Sequence, residues 1–286
     1  MFHVKQMKKH NYYYCTAKDR LVTGELFSVY FNNDRSVAKT KIDPEEDMYR
    51  FYKSKNYRSH KIKPNSITDK IYFLSRRLMF YYKYKIISPY KKDFNLLDYG
   101  CGNGDFLNYM SEKKIKVTGV EKSLSSQKIC QSRGLNVFSS VKKLEQNSYS
   151  LITLWHVLEH VSNPSKCINT LSGILSKDGM LIIAVPNIQS IDSQFFKEEW
   201  EALDIPRHLW HFTSKGLVDL LKTEQFVLIK KRPLFLDAYY ISLLSAKRKK
   251  MFSPWIVALF IGTISNIIGI YNGNYSSSMY VFKKKA

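Results

Sequence analysis

From Phe94 to Phe226, short apolar runs alternate with longer amphipathic stretches. The runs at Asn95 to Tyr99, Lys116 to Val120, Asn136 to Phe138, Ser150 to Trp155, Met180 to Val185 and Phe226 to Lys231 have strand length. Several are apolar without interruption, as strands covered on both faces should be. Between them, Asn103 to Lys113, Ser123 to Ser132, Ser165 to Leu175 and Ser214 to Thr223 read as helices, and Thr213 stands where the last of these needs an N-cap. Strand, helix, strand at this spacing requires right-handed crossovers between parallel strands. The pattern therefore predicts a doubly wound α/β domain.

The flanks read differently. "NSITDKIYFLSRRLMFYYKY" predicts an amphipathic helix with Ser66 as its cap, Asp69 at a capping-box-like spacing, and Ile67, Ile71, Leu74, Leu78 and Tyr82 on one face. Such a helix should flank or cover the domain. Residues 1 to 60 hold only weak strand-like fragments such as "LFSVYF" and predict a weakly structured extension or a small β subdomain. Near the other end, "WIVALFIGTISNIIGIY", Trp255 to Tyr271, is 17 residues long and interrupted by Gly262, Ser265, Asn266 and Gly269, which is marginal for a bilayer core.

Composition adds a folded globular chain to this picture: 286 residues with 44% hydrophobic content can bury a full core. The net charge of +21 is uneven, since residues 1 to 92 hold 21 Lys and Arg against 8 Asp and Glu. A basic N-terminal third with interleaved tyrosines fits a nucleic-acid surface, but A/T-rich coding would also enrich Lys, Asn, Ile, Tyr and Phe. Cys15, Cys101, Cys130 and Cys167 form no C-x-x-C pair, so neither a disulfide framework nor a zinc knuckle is expected. The N-terminal "MFHVKQMKKHNYYY" has no apolar stretch after its basic residues, so no secretory signal is expected, and a cytoplasmic location follows.

The candidate chemistry begins at "LLDYGCGNGDFL", where three glycines follow the first buried strand. Glycines between a strand and a helix let a ligand approach the backbone N–H groups at the helix start. A dinucleotide site needs G-x-G-x-x-G, but the sixth position is Asp105 counted from Gly100 and Leu107 counted from Gly102. The spacing is instead D-x-G-x-G-x-G, from Asp98 through Gly104.

That spacing resembles the first motif of the class I S-adenosylmethionine (SAM)-dependent methyltransferases. "VTGVEKS", "SLITLWHVLEHVSNP" and "LSKDGMLIIAVPN" resemble the motifs that follow in order, the second of them as in the ubiquinone-biosynthesis O-methyltransferases. "DIPRHLWHFTSKGLVDLL" is similar to a segment of bacterial members of the type 11, 12 and 23 groups. The resemblance covers about Phe94 to Lys231 and, loosely, Tyr52 to His60.

The resemblance implies SAM as cofactor and a seven-stranded, mostly parallel sheet of Rossmann-like methyltransferase fold, with an N-terminal extension and an insertion before the last strand. Its divisions fall at 1–65, 66–92, 93–237, 238–275 and 276–286. "SSSMYVFKK", β-branched and aromatic after the turn-like "NGN", suits the antiparallel last strand. By the same resemblance, Gly100, Cys101, Gly102, Asn103 and Gly104 wrap the methionine portion, Asp98 orders the loop and faces its ammonium, Glu121 holds the ribose, and Trp155 borders the cofactor.

Methyl transfer to oxygen also needs the acceptor's proton removed, and histidine is the side chain best poised for that. His156, directly after the fourth strand, is the first candidate base and His208 the second. In the ubiquinone-type relatives, positions matching His156, Glu159 and His160 hold a divalent ion; here the first is His rather than a carboxylate, and no metal is expected. The predicted acceptor is a small or saccharide-like molecule. A silent SAM-binding module and nucleic-acid methylation are the alternatives, the second disfavoured because "WHVLEH" stands where an N/D-P-P-Y/F motif would be. For 247–271, with its Lys247, Arg248, Lys249 and Lys250, the options are a packed helical cover, peripheral contact with the inner face of the membrane, and a span.

Overall fold

The computed structural model describes residues 10–43, 46–52, 67–89 and 94–285. Seven strands form the main sheet: β4 (Asn95–Tyr99), β5 (Lys116–Val120), β6 (Val137–Phe138), β7 (Tyr149–Trp155), β8 (Leu175–Pro186), β10 (Phe226–Pro233) and β11 (Ser277–Lys284). Their order is β10-β11-β8-β7-β4-β5-β6. Pairings from β8 to β6 are parallel, and β11 runs antiparallel to both its neighbours. The expected seven-stranded sheet with an inserted antiparallel strand is therefore present.

The apolar runs are uninterrupted because both faces are covered. Leu97, Ile152 and Ile183 sit in one buried cluster, while their chain neighbours Leu96, Leu151 and Ile182 sit in another. Successive strand side chains point to opposite faces, so two apolar layers require apolar residues at every position. The layers come from α2 (Asp105–Glu112), α3 (Leu124–Ser132), α4 (Pro164–Ile174) and α6 (Ser214–Thr223), joined by α1 (Ile67–Ile87). Local chemistry sets the helix starts: Ser123 accepts from Ser126 N, Asn163 from Lys166 N, and Thr213 from Gly216 N.

The inward face of α1 differs from the sequence expectation. The side chains of Ile67, Ile71, Leu74 and Asp69 lie outside the described residues, as does Ser66, and so do residues 53–60 of the loosely matching segment. Leu78, expected to face inward, is 56% exposed. Tyr82 packs on the core as expected, and Met79, Phe80, Ile86 and Ile87 pack there in place of Leu78. Phe80 meets Phe106 and Tyr109 of α2 at ring-centroid distances of 5.7 and 5.8 Å. That contact rotates α1 so that the Lys83 side of the helix faces the sheet.

A second, antiparallel sheet has the order β1 (His10–Lys18), β2 (Leu26–Asn32), β3 (Val37–Thr40) and β9 (Trp210–Phe212). Its last strand belongs to the α/β region, so the N-terminal strands are stitched to that body. The junction is tight: Thr213 Oγ1 donates to the Ser36 carbonyl at 2.7 Å. A Cβ on Gly216 would lie 2.1 Å from the same oxygen. After β8 come α5 (Ile191–Phe196) and two short 3-10 turns; α7 (Phe235–Arg248) and α8 (Pro254–Asn272) separate β10 from β11.

Candidate functional site

Strands β4, β5 and β7 end together, where the sheet order reverses and open α/β sheets bind ligands. Beyond β4 the chain turns back on itself: Gly100 N and Cys101 N both donate to the Val120 carbonyl, at 2.7 and 3.1 Å. Gly100 and Gly102 take φ of +76° and +54°, which an L side chain resists. A Cβ at Gly100 would lie 2.6 Å from Val157 Cγ2, whereas one at Gly102 would meet nothing within 4 Å. Gly102 thus borders open space where a ligand can reach the backbone.

Two acids frame this turn. Asp98, 2% exposed, accepts a 2.7 Å hydrogen bond from Thr153 Oγ1. Burial pushes its carboxyl up to about 7, opposed by that bond and by the Lys83 cation and reinforced by Glu121. Glu121, directly after β5, accepts from Gly102 N at 2.9 Å and from Ser123 N at 2.8 Å. Its carboxylate is therefore oriented by the loop and by the start of α3. Cys101 and Cys130 stand behind the loop with protonated thiols, raised chiefly by burial. Asn103 is buried beside them, its carbonyl accepting from Arg133 Nη1 at 3.0 Å.

Lys83 of α1 reaches into this space, and the sequence carried no sign of it. Its ammonium stands 3.9 Å from the Trp155 ring centroid. Burial lowers its pKa to about 8, against the pull of Asp237 and Asp98. Trp155 rests edge-on against Phe106, and its Nε1 is buried without a hydrogen-bond partner. An aromatic face and buried carboxylates are what a cationic ligand selects, and the lysine occupies that position.

His156 follows Trp155 with a strained φ of +55°. Its Nδ1 lies 3.4 Å from Glu159 Oε1 and its Nε2 3.3 Å from Asp237 Oδ2, with 36% of the side chain exposed. Burial alone would lower its pKa, but the neighbouring carboxylates of Asp237 and Glu159 outweigh it and raise the ring to about 9. Asp237, in the first turn of α7, was not read from the sequence; its only trace there is a lone acid after an apolar stretch.

His208 belongs to an inner cluster. It is buried, its Nδ1 lies 2.8 Å from the Ala202 carbonyl, and its ring centroid is 4.5 Å from that of His160. Burial and the neighbouring His208 lower His160 to about 4 and His211 to about 3, so both rings are neutral. Glu159, His160 and His208 each offer a ligand atom within 4.8 Å of the others, and both Glu159 oxygens are buried without hydrogen bonds. Two imidazoles and a carboxylate suit a borderline ion such as zinc better than magnesium. The potential ligand set is thus completed by His208 and not by His156, which turns toward Asp237.

The family model described as a methyltransferase domain matches residues 60–231. An uncharacterized protein of Methanocaldococcus jannaschii is 30% identical over 128 residues, 44% of this chain and 56% of that protein. A ubiquinone biosynthesis O-methyltransferase of Glaesserella parasuis is 29% identical over 106 residues, 32% of this chain and 45% of that protein. The chain thus spans about half the length of these curated relatives. Among solved structures, a SAM-dependent methyltransferase from Thermotoga maritima shares the fold with a TM-score of 0.52 at 18% identity, covering 76% of this chain and 94% of that one.

Proposed function

Since the chain belongs to the methyltransferase-domain family, we propose that it transfers a methyl group from SAM to an oxygen of a small, saccharide-like or lipid-linked acceptor. The observation that carries this reading is the glycine turn held open between the oriented carboxylate of Glu121 and the buried one of Asp98, with a cation already lodged against Trp155. Bound SAM supplies an electrophilic methyl on a sulfonium. The protein's task is to hold donor and acceptor in line and keep water out.

Each residue has a definable part in that task. Gly102 presents bare backbone to the methionine portion, and Asp98 offers a carboxylate for its ammonium. Glu121, fixed by two backbone N–H groups, accepts from the ribose hydroxyls. Trp155 closes the side of the cleft. His156 stands at the end of β7, half-exposed, where it meets an incoming hydroxyl and takes its proton; Asp237 and Glu159 orient the ring and stabilise the imidazolium that results.

Calorimetry with SAM and S-adenosylhomocysteine tests the cofactor reading. Both should bind, and Glu121→Ala should weaken both by about 1 to 3 kcal/mol through loss of charge-assisted ribose hydrogen bonds. Absence of heat and of thermal stabilisation at saturating ligand refutes it; unchanged affinity in the variant refutes the ribose assignment.

Lys83 separates the two ligands. Its ammonium must swing aside for a donor carrying a sulfonium, whereas the sulfur of S-adenosylhomocysteine is neutral. Lys83→Met should therefore tighten SAM relative to S-adenosylhomocysteine by about fivefold, the order of 1 kcal/mol for a screened unit-charge repulsion. Equal shifts for the two would show that the lysine opposes occupancy by bulk alone.

A further inference from the structure

Helix α8 is built inside out. Its buried stripe holds small and polar residues: Ala258, Gly262, Ser265, Asn266 and Gly269, with Ile261 as the one large aliphatic. Ser265 Oγ donates to Asp192 Oδ1 at 2.7 Å, and Asn266 Nδ2 to the Phe235 carbonyl at 3.0 Å. Tyr239 and Tyr275 press so closely that a Cβ on Gly262 or Gly269 would lie 2.7 or 2.5 Å from them. The opposite stripe is apolar and faces outward: Trp255, Ile256, Leu259, Phe260 and Ile270 are each 51% to 67% exposed, and Phe252 just ahead of the helix is 97% exposed. A helix on an aqueous surface has the reverse pattern, and a continuous patch of this kind marks an interaction face.

We propose that this face docks in the plane of an anionic lipid bilayer. Charge complementarity selects the lipid over other apolar partners. Lys247, Lys249 and Lys250 are exposed at the end of α7 and just beyond it, directly before Phe252, so the apolar stripe starts beside a cationic cluster. Lys247 Nζ sits 5.2 Å from the Trp255 ring centroid, which joins the cluster to the stripe. Basic residues beside an apolar helix face are the pairing that headgroup phosphates and acyl chains together satisfy. Two copies meeting through this face would instead bring their lysine clusters into a shared interface.

The helix lies on the bilayer and does not cross it. The strands before and after the α7–α8 unit, β10 and β11, are hydrogen-bonded neighbours in one sheet. A span would also strip Ser265 and Asn266 of the partners that anchor them to the body. The surface continues toward the reaction cleft: Phe235, 42% exposed, packs on Tyr275 at 5.6 Å, and Asp237 two residues later holds His156. Resting on the methyltransferase reading, this places the cleft beside the lipid and points to acceptors carried in or at the membrane.

Flotation of the full chain with vesicles decides the matter. The chain should float with vesicles containing about a third phosphatidylglycerol, stay largely unbound with pure phosphatidylcholine, and lose at least tenfold in binding with rising salt. Phe260→Asp combined with Ile256→Asp should abolish flotation while SAM affinity stays unchanged, since both side chains are exposed and remote from the glycine turn. No flotation by a chain that binds SAM overturns the proposal and leaves the methyltransferase reading intact. So does a dimer in sedimentation that the double variant dissociates, which would assign the face to a second copy. Resistance to alkaline extraction from cell membranes overturns it in favour of a span.

Discussion

Arg207→Ala should destabilise the fold by roughly 3 to 5 kcal/mol, the usual cost of stranding buried charge by removing one partner. The guanidinium is 1% exposed and serves three segments at once. It donates to Asp19 Oδ1 at 3.0 Å and the Phe51 carbonyl at 3.2 Å from Nη1, and to Asp204 Oδ1 at 2.7 Å from Nη2. Asp19 also accepts from the backbone of Leu21 and Thr23 in the turn after β1. The single side chain therefore clamps the turn after β1 and the 3-10 turn at Met48–Tyr52 to the segment between α5 and His208. Chemical denaturation measures the loss, and Arg207→Lys should recover only part of it, because a point ammonium cannot serve all three directions. The acid limb gives a second readout. Asp19 is lowered despite the opposing effect of burial, by the Thr23 and Leu21 hydrogen bonds and by Arg207, and Asp204 is lowered chiefly by His208 and Arg207. Depressed carboxyl pKa values contribute stability above the unfolded value that is lost as pH falls through the folded one, so the variant should show a flatter decline in acid. A change under about 1 kcal/mol would show that the β3–β9 pairing, the Thr213–Ser36 hydrogen bond and apolar packing hold the N-terminal sheet without the clamp.

The α/β body was legible because its signal is local. Strands covered on two faces need apolar residues in succession, and Leu96–Leu97, Leu151–Ile152 and Ile182–Ile183 supply them, each pair split between two layers. The glycine turn was legible for a similar reason, as positive φ and close approach restrict the residue at fixed offsets from the strand. The N-terminal sheet was not. Register shifts between His10 and Tyr12 and between Tyr13 and Cys15 break the two-residue period, and Tyr12 and Tyr13 are 46% and 61% exposed. Its fourth strand, Trp210–Phe212, comes from about 170 residues downstream of its partner, a pairing no local pattern records.

Lys83 and Asp237 were illegible in a more instructive way. Lys83 lies among tyrosines and lysines that read as a solvated helix face, and it turns toward Asp98 only once Phe80 and its neighbours on α1 pack on the core. Asp237, in the first turn of α7, falls at the last position of the 93–237 division, directly before the apolar insertion, yet it closes on His156 across the end of the sheet. Both are charged groups whose role exists only after helices from opposite ends of the chain have packed. The same is true of α8, where the sequence shows an apolar segment interrupted by Ser, Asn and Gly, and only packing reveals that the interruptions point inward.

His156→Ala should lower turnover with a hydroxyl acceptor by about 100- to 10,000-fold, the contribution of a positioned base. In the wild-type chain the ring is paired with two carboxylates and raised to about 9. A base works only in its unprotonated form, so kcat/KM should climb with pH with its midpoint near pH 9, well above the 6.5 of an unperturbed imidazole, and level off only beyond it. Stability runs the other way: a raised histidine pKa stabilises the fold fully below the unfolded value, and that contribution fades as pH rises through the folded one. Asp237→Asn removes one of the two charges that hold the proton. It should move the midpoint of the rate profile to lower pH while leaving SAM affinity near the wild-type value, a signature that mere loss of packing would not produce. Glu159→Gln should shift the midpoint in the same direction. If His156→Ala turns over near normally and the profile stays flat between pH 6 and 9, the acceptor reaches the methyl group already deprotonated, or presents nitrogen or carbon instead of oxygen, and the strand-end histidine is a binding group.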